Sequence, residues 1–306
     1  MKNKFFIFLI GLCLLSCDKI ENPYPTSIST QLDYTLYPGG DSIAYANSEW
    51  PVFSNNNNSL RNVMLEEFTG HKCNNCPIAS DTAHAIYGDY PQRVFVSSIH
   101  TGPEGLGSFQ SVSSSYPIDW TNTSGLAIGE HFGSMPSSDF VGNPRGTINR
   151  ILNGGQHTAG VNDWRNYTQA AMATNLKVNL QAEINYYPST RGVFIHSEID
   201  ILDQSINVND LYTVVILIED SVIGKQKMPD NSTDPNYIHR DIMRGSIGSF
   251  WQGNQLTINQ FNNGKYYFNY SYALPSQYDD SNVHLLIYVR DAITEEVYQV
   301  IKKKIE

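Results

Sequence analysis

The chain has 306 residues, a formal net charge of −10 at pH 7 and four cysteines. The acidic balance argues against nucleic acid as a partner and against a polybasic membrane-binding patch, because anionic surfaces would be repelled. With so few cysteines, each one can be assigned a separate role.

Residues 1–16 have the pattern of a signal peptide. A basic start precedes an apolar run, Phe5 to Leu15, that is shorter than the about 20 residues needed to span a bilayer. The following Leu14-Leu15-Ser16-Cys17 resembles the lipobox of bacterial lipoproteins, which implies cleavage before Cys17 and lipidation of that cysteine. An ordinary secretory signal with incidental cysteines is the alternative. No other long apolar segment follows, so we expect a water-soluble body tethered to a membrane by lipid.

Residues 17–59 are polar and rich in turn-forming residues, which predicts a lipidated tether. Within it we expect a short strand pair, Tyr34 to Tyr37 and Ser42 to Tyr45. The asparagine run from Asn55 to Asn58 marks the end of this segment.

Residues 60–175 alternate between strand and helix patterns, which is typical of an α/β domain. Its predicted elements, in order, are a strand at Val63 to Leu65, a Cys-x-x-Cys helix over Ile78 to Tyr87, a strand at Arg93 to Ile99, a Gly/Ser-rich stretch over 101–139, a hairpin from Gly146 to about Gly160, and a helix near Trp164. We expect Ile78, Thr82, Ala85 and Ile86 to form the buried face of the first helix.

Cys73 and Cys76 stand where the first strand gives way to its helix. Unpaired N–H groups and the positive end of the helix dipole favour a thiolate there, as would a protonated Lys72 or His71. We therefore predict Cys73 as the attacking nucleophile and Cys76 as the thiol that resolves a mixed disulfide.

Residues 176–306 change to strict alternation of apolar and polar residues, as at Val178, Leu180, Ala182 and Ile184. Roughly six or seven such strands predict an antiparallel, immunoglobulin-like β-sandwich. His239 and Arg244 lie in a polar stretch of this region, and we interpret them as structural residues.

The first domain resembles the thioredoxin superfamily in three elements, namely Glu67-Phe68, Cys73-x-x-Cys76 and a later Asn143-Pro144. A wider set of sequence segments resembles the twenty-eight-kilodalton outer-membrane-protein family of bacterial lipoproteins. These segments are Glu-Glu-Phe-Thr-Gly-His-Lys-Cys-Asn-Asn-Cys-Pro, Asn-Pro-Arg-Gly-Thr-Ile-Asn-Arg and Tyr237-Ile238-His239 with Arg244. This resemblance implies an outer-membrane lipoprotein, facing the periplasm or the cell exterior, with a thioredoxin-like domain and a β-rich domain. It implies no established substrate.

The resemblance also implies roles for single residues. Glu67 would be a buried base for Cys76, and Pro144 would be a cis-proline that presents Asn143 to a substrate strand. A surface position at the strand end is the alternative for Glu67, and strand alternation places Glu66 on the opposite face. Lys72 departs from thioredoxin, which has an aromatic residue there; from their position beside Cys73 we nevertheless expect His71 and Lys72 to contribute to substrate binding. The insertion 101–139, which thioredoxin lacks, is either a lid or docking surface beside the dithiol or inert padding.

The predicted activity is thiol–disulfide exchange with the disulfides or dithiols of envelope proteins, without a cofactor or bound metal. Three alternatives remain open. The cysteines could bind zinc or copper(I) with His71 and one of His84, His100 or His131. They could form a permanent structural disulfide. The thioredoxin-like unit could also be the scaffold of a non-enzymatic surface binding protein or adhesin.

Overall fold

The computed structural model of the protein describes residues 32–305. The predicted signal peptide and the lipid-bearing Cys17 lie outside these residues. The helices are α1 (Ser42–Ser48), α2 (Cys76–Asp89), α3 (Thr123–Ser134) and α4 (Trp164–Met172). The strands are β1 (Val63–Thr69), β2 (Val94–His100), β3 (Arg145–Ile148), β4 (Thr158–Ala159), β5 (Val178–Tyr187), β6 (Gly192–Ile201), β7 (Leu211–Glu219), β8 (Val222–Lys227), β9 (Thr233–His239), β10 (Ile242–Ile247), β11 (Asn254–Gln255), β12 (Phe261–Asn262), β13 (Lys265–Ala273), β14 (Val283–Asp291) and β15 (Val297–Lys304).

One large sheet runs through most of the molecule. Its strand order is β15-β14-β7-β10-β2-β1-β3-β4, with β11 paired to β7. β1 and β2 are parallel, as the βαβ pattern requires, and β3 joins β1 in the antiparallel sense. The link between the two halves of the sheet is β10, where Ile242 pairs with Ser98 of β2. The sheet therefore crosses the predicted boundary near residue 175, and the division into two domains stays a prediction.

A second sheet of four strands, in the order β12-β13-β6-β5, faces the C-terminal part of the first. Side chains of the two sheets share one core, in which Val178 and Ile195 pack with Val215 and Leu285. The coarse prediction of an α/β region and a β-rich region is thus confirmed.

Helices cover both faces of the large sheet around β1. Val63 and Leu65 pack with α2 and α4, whereas Met64 and Phe68 pack with α3. All seven residues of β1 are buried for this reason.

The predicted buried face of α2 was partly wrong. Ala79, Ala83 and Ile86 are buried, whereas Ile78 is 54% exposed. The two alanines let the helix backbone approach the sheet closely, a packing effect that hydrophobic spacing alone does not predict.

The strand pair expected within residues 17–59 was also wrong. Tyr34–Leu36 is a 3₁₀ helix and the second predicted strand is α1. Asp41 caps α1 by accepting hydrogen bonds from the N–H groups of Ile43 and Ala44, which favours helix over strand. Tyr45 of α1 is fully buried and its hydroxyl lies 2.7 Å from Nε2 of His196, so this segment is anchored to the four-stranded sheet.

Sequence reasoning missed one helix and five strands, namely α3 and β8 to β12, so residues 176–306 contain eleven strands where roughly six or seven were expected. The Gly/Ser-rich stretch contains α3, and the polar stretch around His239 is β9, which pairs with β8 in a separate two-stranded sheet. Over residues 32–305, no helix has both the length and the apolar character needed to cross a membrane.

Candidate functional site

The cysteine pair lies at the point predicted from the sequence, between β1 and α2. Cys73 and Cys76 form a disulfide with a Cα–Cα distance of 5.4 Å. Cys76 is the first residue of α2, and Pro77 occupies the first helical turn, where its missing N–H costs nothing. Both cysteines are buried, with exposed fractions of 1% and 2%.

Glu67 of β1 lines a small cavity that Cys76 also lines. It pairs with Ser98 of β2, and the Ser98 hydroxyl donates to Oε2 of Glu67 at 3.2 Å. Oε1 has no hydrogen-bond partner among the described residues. Burial raises the pKa of Glu67 to about 8, opposed by the Ser98 hydrogen bond and reinforced by Asp241 and Asp81. At neutral pH the carboxyl is therefore mainly protonated.

The cavity that Glu67 and Cys76 line holds about 20 Å³, room for about one water molecule. Ser98, His100 and Gln226 are also among its walls. Sequence reasoning placed Glu67 at a buried position near the second cysteine, and the geometry brings the two residues to one cavity.

Glu66 is buried too, so a surface carboxylate at this strand end is wrong for both glutamates. The Arg150 guanidinium donates to both carboxylate oxygens of Glu66, at 2.7 and 2.8 Å, and the Thr147 hydroxyl donates at 2.6 Å. Because β1 is covered on both faces, alternation sends the two neighbouring carboxyls to two different buried environments.

The Asn143–Pro144 peptide bond is cis and directly precedes β3, the strand beside β1. The Asn143 side chain is already engaged within the chain. Its amide donates to the Thr101 carbonyl at 2.8 Å, and its Oδ1 accepts from Nε2 of Gln110 at 3.1 Å. Gln110 also donates to the Thr69 carbonyl at 2.7 Å, so the insertion 101–139 is bound to the loop that holds the cysteines.

His71 and Lys72, predicted to bind substrate, are likewise held by other parts of the chain. The His71 carbonyl accepts from the Lys227 N–H at 2.9 Å, and the Lys72 N–H donates to the Phe109 carbonyl at 3.1 Å. Burial, assisted by the nearby Lys72 charge, lowers the pKa of His71 to about 4. With the cysteines oxidised the imidazole is therefore neutral at pH 7, and a protonated His71 beside a Cys73 thiolate stays a prediction for the reduced protein.

An aromatic and histidine cluster beside the cysteines was not predicted. The His100 ring lies 5.8 Å from the Trp120 ring and 5.7 Å from that of His239. Burial lowers the pKa of His239 to about 4 and that of His100 well below its usual value. His239 was singled out in the sequence, but nothing local indicated that β9 would bring it to the cysteines.

The histidines proposed as metal ligands do not share one place: His100 lines the cavity of Cys76 and its ring lies 6.5 Å from that of His71, whereas His84 and His131 face carboxylates. Nε2 of His84 lies 3.8 Å from Oδ2 of Asp241, and Nε2 of His131 lies 3.2 Å from Oε1 of Glu295. Within the described part of the chain, no three His, Cys, Asp or Glu residues are grouped so that they could hold a metal ion.

Comparisons with known proteins identify relatives of this chain. The family described as "Outer membrane protein Omp28" matches residues 136–306. HBP35 of Porphyromonas gingivalis has a similar fold, with a TM-score of 0.60 and 14% identity over 81% of this chain and 76% of that one. A domain of the outer membrane lipoprotein Omp28 from the same organism is 25% identical over 42% of this chain and 88% of that one, with a TM-score of 0.30. No curated protein matches the chain.

Proposed function

The chain belongs to the Omp28 family of outer membrane proteins, and we propose that it carries out thiol–disulfide exchange on other envelope proteins through Cys73 and Cys76. The observation that carries this proposal is the shared cavity of Cys76 and Glu67, a carboxyl whose pKa is raised to about 8. A carboxyl with a pKa of about 8 is mainly protonated at neutral pH but still has an accessible carboxylate form, which suits proton transfer to and from a thiol.

The proposed fold around this site is thioredoxin-like. Three features support it, namely the parallel β1–β2 pair joined through α2, the cysteines at the start of α2, and the cis-proline before β3. For the C-terminal region we propose an immunoglobulin-like sandwich, supported by the shared core of the two facing sheets.

The reaction starts here from the oxidised pair. A thiolate of the partner attacks Sγ of Cys73, the bond between Cys73 and Cys76 breaks, and the Cys76 thiolate takes a proton from Glu67. The partner's second thiol then attacks the partner sulfur of the mixed disulfide and releases Cys73. Two electrons pass from the partner dithiol to the pair, and the protons pass to the reduced cysteines or to solvent.

In the opposite direction the same groups exchange roles. The Cys73 thiolate attacks a partner disulfide and releases the first partner thiolate; Glu67 then accepts the proton of Cys76 as that thiol attacks Sγ of Cys73, which breaks the mixed disulfide and releases the second partner thiolate. One carboxyl thus serves both directions, because its pKa lies close to the working pH.

We propose that Cys17 carries the lipid that attaches the protein to the outer membrane. The proposal rests on Leu14-Leu15-Ser16-Cys17 and on the family to which the chain belongs. The partners would then be envelope proteins within reach of the tethered domain.

A second candidate function is that of a non-enzymatic binding protein or adhesin, in which Cys73–Cys76 is a permanent structural bond. The burial of both cysteines favours this candidate, because a partner must reach a sulfur to react with it.

The reduction potential of the pair separates the two functions. Equilibration of the full-length protein in detergent with glutathione buffers should give a potential well above about −300 mV, the range below which structural disulfides lie. Reduction of insulin or oxidation of a dithiol peptide should also occur. A potential below that range together with no exchange would favour the scaffold.

A further inference from the structure

We infer that the β8–β9 hairpin, Val222–His239, is a lid that closes over the cysteine pair and must move before a partner can react. This inference rests on the proposed exchange function and adds a regulatory step to it. It starts from the burial of Cys73 and Cys76, which leaves a partner thiolate no approach to either sulfur.

The hairpin binds the backbone of the cysteine loop directly. The Gln226 side-chain amide donates to the Cys73 carbonyl at 2.9 Å, and it lies 3.4 Å from the Gly70 carbonyl. The Lys227 N–H donates to the His71 carbonyl at 2.9 Å. The carbonyls of Gly70, His71 and Cys73 therefore already accept hydrogen bonds from the hairpin.

We expect the hairpin to separate from the rest of the fold more readily than the central strands do. β8 and β9 pair with each other in a sheet of their own, and most of their side chains are exposed or half-buried. Ile223 and Ile238 are exposed at 61% and 47%. An element with few buried apolar side chains opens at low cost compared with the central sheet.

The insertion 101–139 fastens this lid on its outer side. The Lys225 ammonium donates to the Ser115 carbonyl at 3.0 Å, and the hydroxyls of Tyr116 and Thr233 lie 2.8 Å apart. The insertion thus holds the hairpin in its closed position, which gives a role to a segment that thioredoxin lacks.

Gly224 sets how closely the lid can approach the insertion. A Cβ atom at this position would lie 2.2 Å from Cζ2 of Trp120, which is itself buried. Gly224→Ala should therefore push the hairpin outward. Gly88→Ala in α2 is the matched control, because a Cβ atom there meets nothing within 4 Å.

The test measures how fast dithiothreitol reduces the pair in the oxidised full-length protein, followed by alkylation of the released thiols. In the wild-type protein, reduction should be about tenfold or more slower than in the same chain unfolded in urea, because the open fraction limits the rate. Gly224→Ala should approach the rate of the unfolded chain, and Gly88→Ala should match wild type.

Lys225→Ala is a second variant, for the case in which Gly224→Ala does not fold. The Lys225 side chain is exposed, so its removal should leave the fold intact. Loss of its hydrogen bond to Ser115 should accelerate reduction about fivefold. A folded wild-type protein reduced within about twofold of the unfolded chain would overturn the lid. An unchanged rate in folded Lys225→Ala, or equal acceleration by Gly88→Ala, would overturn it as well.

Dithiothreitol replaces the protein partner in this assay, so its outcome is independent of the exchange function. Faster reduction in the lid variants without exchange with any protein disulfide would uphold the lid and reject the proposed function. Efficient exchange with a protein disulfide, together with dithiothreitol rates that are unchanged in the lid variants, would uphold the proposed function and reject the lid.

Discussion

The Ser98 hydroxyl donates its hydrogen bond to Oε2 of Glu67 at 3.2 Å, and no described residue bonds the second carboxyl oxygen. This single neutral donor is too little to offset the loss of water around the carboxylate. The pKa of Glu67 therefore rises from 4.5 to about 8, which makes the folding free energy depend on pH.

Glu67→Gln should stabilise the protein. Between pH 4.5 and 8 the unfolded chain loses the Glu67 proton while the folded chain keeps it, so the wild type becomes less stable as pH rises. A glutamine has no proton to lose, and at pH 7 the variant should be more stable by up to about 3 kcal/mol. Urea unfolding at pH 4.5 and 7.5 should show a gain that grows with pH, and a gain that is constant across this range would contradict the raised pKa.

The same variant should slow the resolving step of exchange. Glutamine keeps the shape of Glu67 but cannot take the Cys76 proton, so mixed disulfide with a model disulfide should accumulate at neutral pH. The defect should lessen at higher pH, where Cys76 ionises without help. Quenched-flow alkylation gives the amount of mixed disulfide at each pH, and an equal defect at all pH values would remove Glu67 from the proton transfer.

Serine variants of the two cysteines should differ in whether they retain a mixed disulfide with a partner protein. Cys76→Ser should retain a mixed disulfide with its partner, because Cys73 can still attack and nothing resolves the product. Cys73→Ser should trap nothing and lose exchange activity. Non-reducing gels of cell-envelope extracts provide the measurement, and trapping by Cys73→Ser alone would reverse the proposed roles.

Sequence reasoning predicted the parts of this site that depend on local pattern. An apolar strand followed by Cys-x-x-Cys and a helix identifies Cys73 and Cys76, and resemblance to a known pattern adds Glu67 and Pro144. Gln226 and His239 reach the site through a hairpin far along the chain, and that contact has no local signal. β8 and β9 carry alternating polar residues and a proline, a pattern that describes an exposed loop equally well.

The buried ion pair between Glu66 and Arg150 could not be predicted from the sequence either. Glu66 was expected to face away from the site, and alternation was right about that direction. What alternation could not predict is that the opposite face is also buried and that Arg150, after β3, lies there. Burial on both faces of β1 depends on α3, which was itself unrecognised within the insertion.

The attachment of the chain to the membrane is tested by Cys17→Ser. Loss of the lipid-accepting thiol should move the protein from the membrane fraction to the soluble fraction. The fold should be unchanged, because the described core begins downstream of this residue. Cell fractionation with circular dichroism of the released protein measures both properties, and full membrane retention of the variant would remove the lipid-anchor proposal.

Glu66→Gln should have the opposite effect on stability from Glu67→Gln, although the residues are neighbours in β1. Arg150 is fully buried, and although burial alone would lower its pKa, Glu66 and Tyr288 outweigh that effect and raise the pKa. Removing the Glu66 charge leaves the guanidinium without its main counter-charge, at a cost of roughly 3–5 kcal/mol. Changing both partners, Glu66→Gln with Arg150→Met, should recover much of that loss, because no buried charge is then left unpaired. Urea unfolding of the two single variants and the double variant tests this, and a Glu66→Gln protein as stable as wild type would show that Arg150 is neutralised by another group.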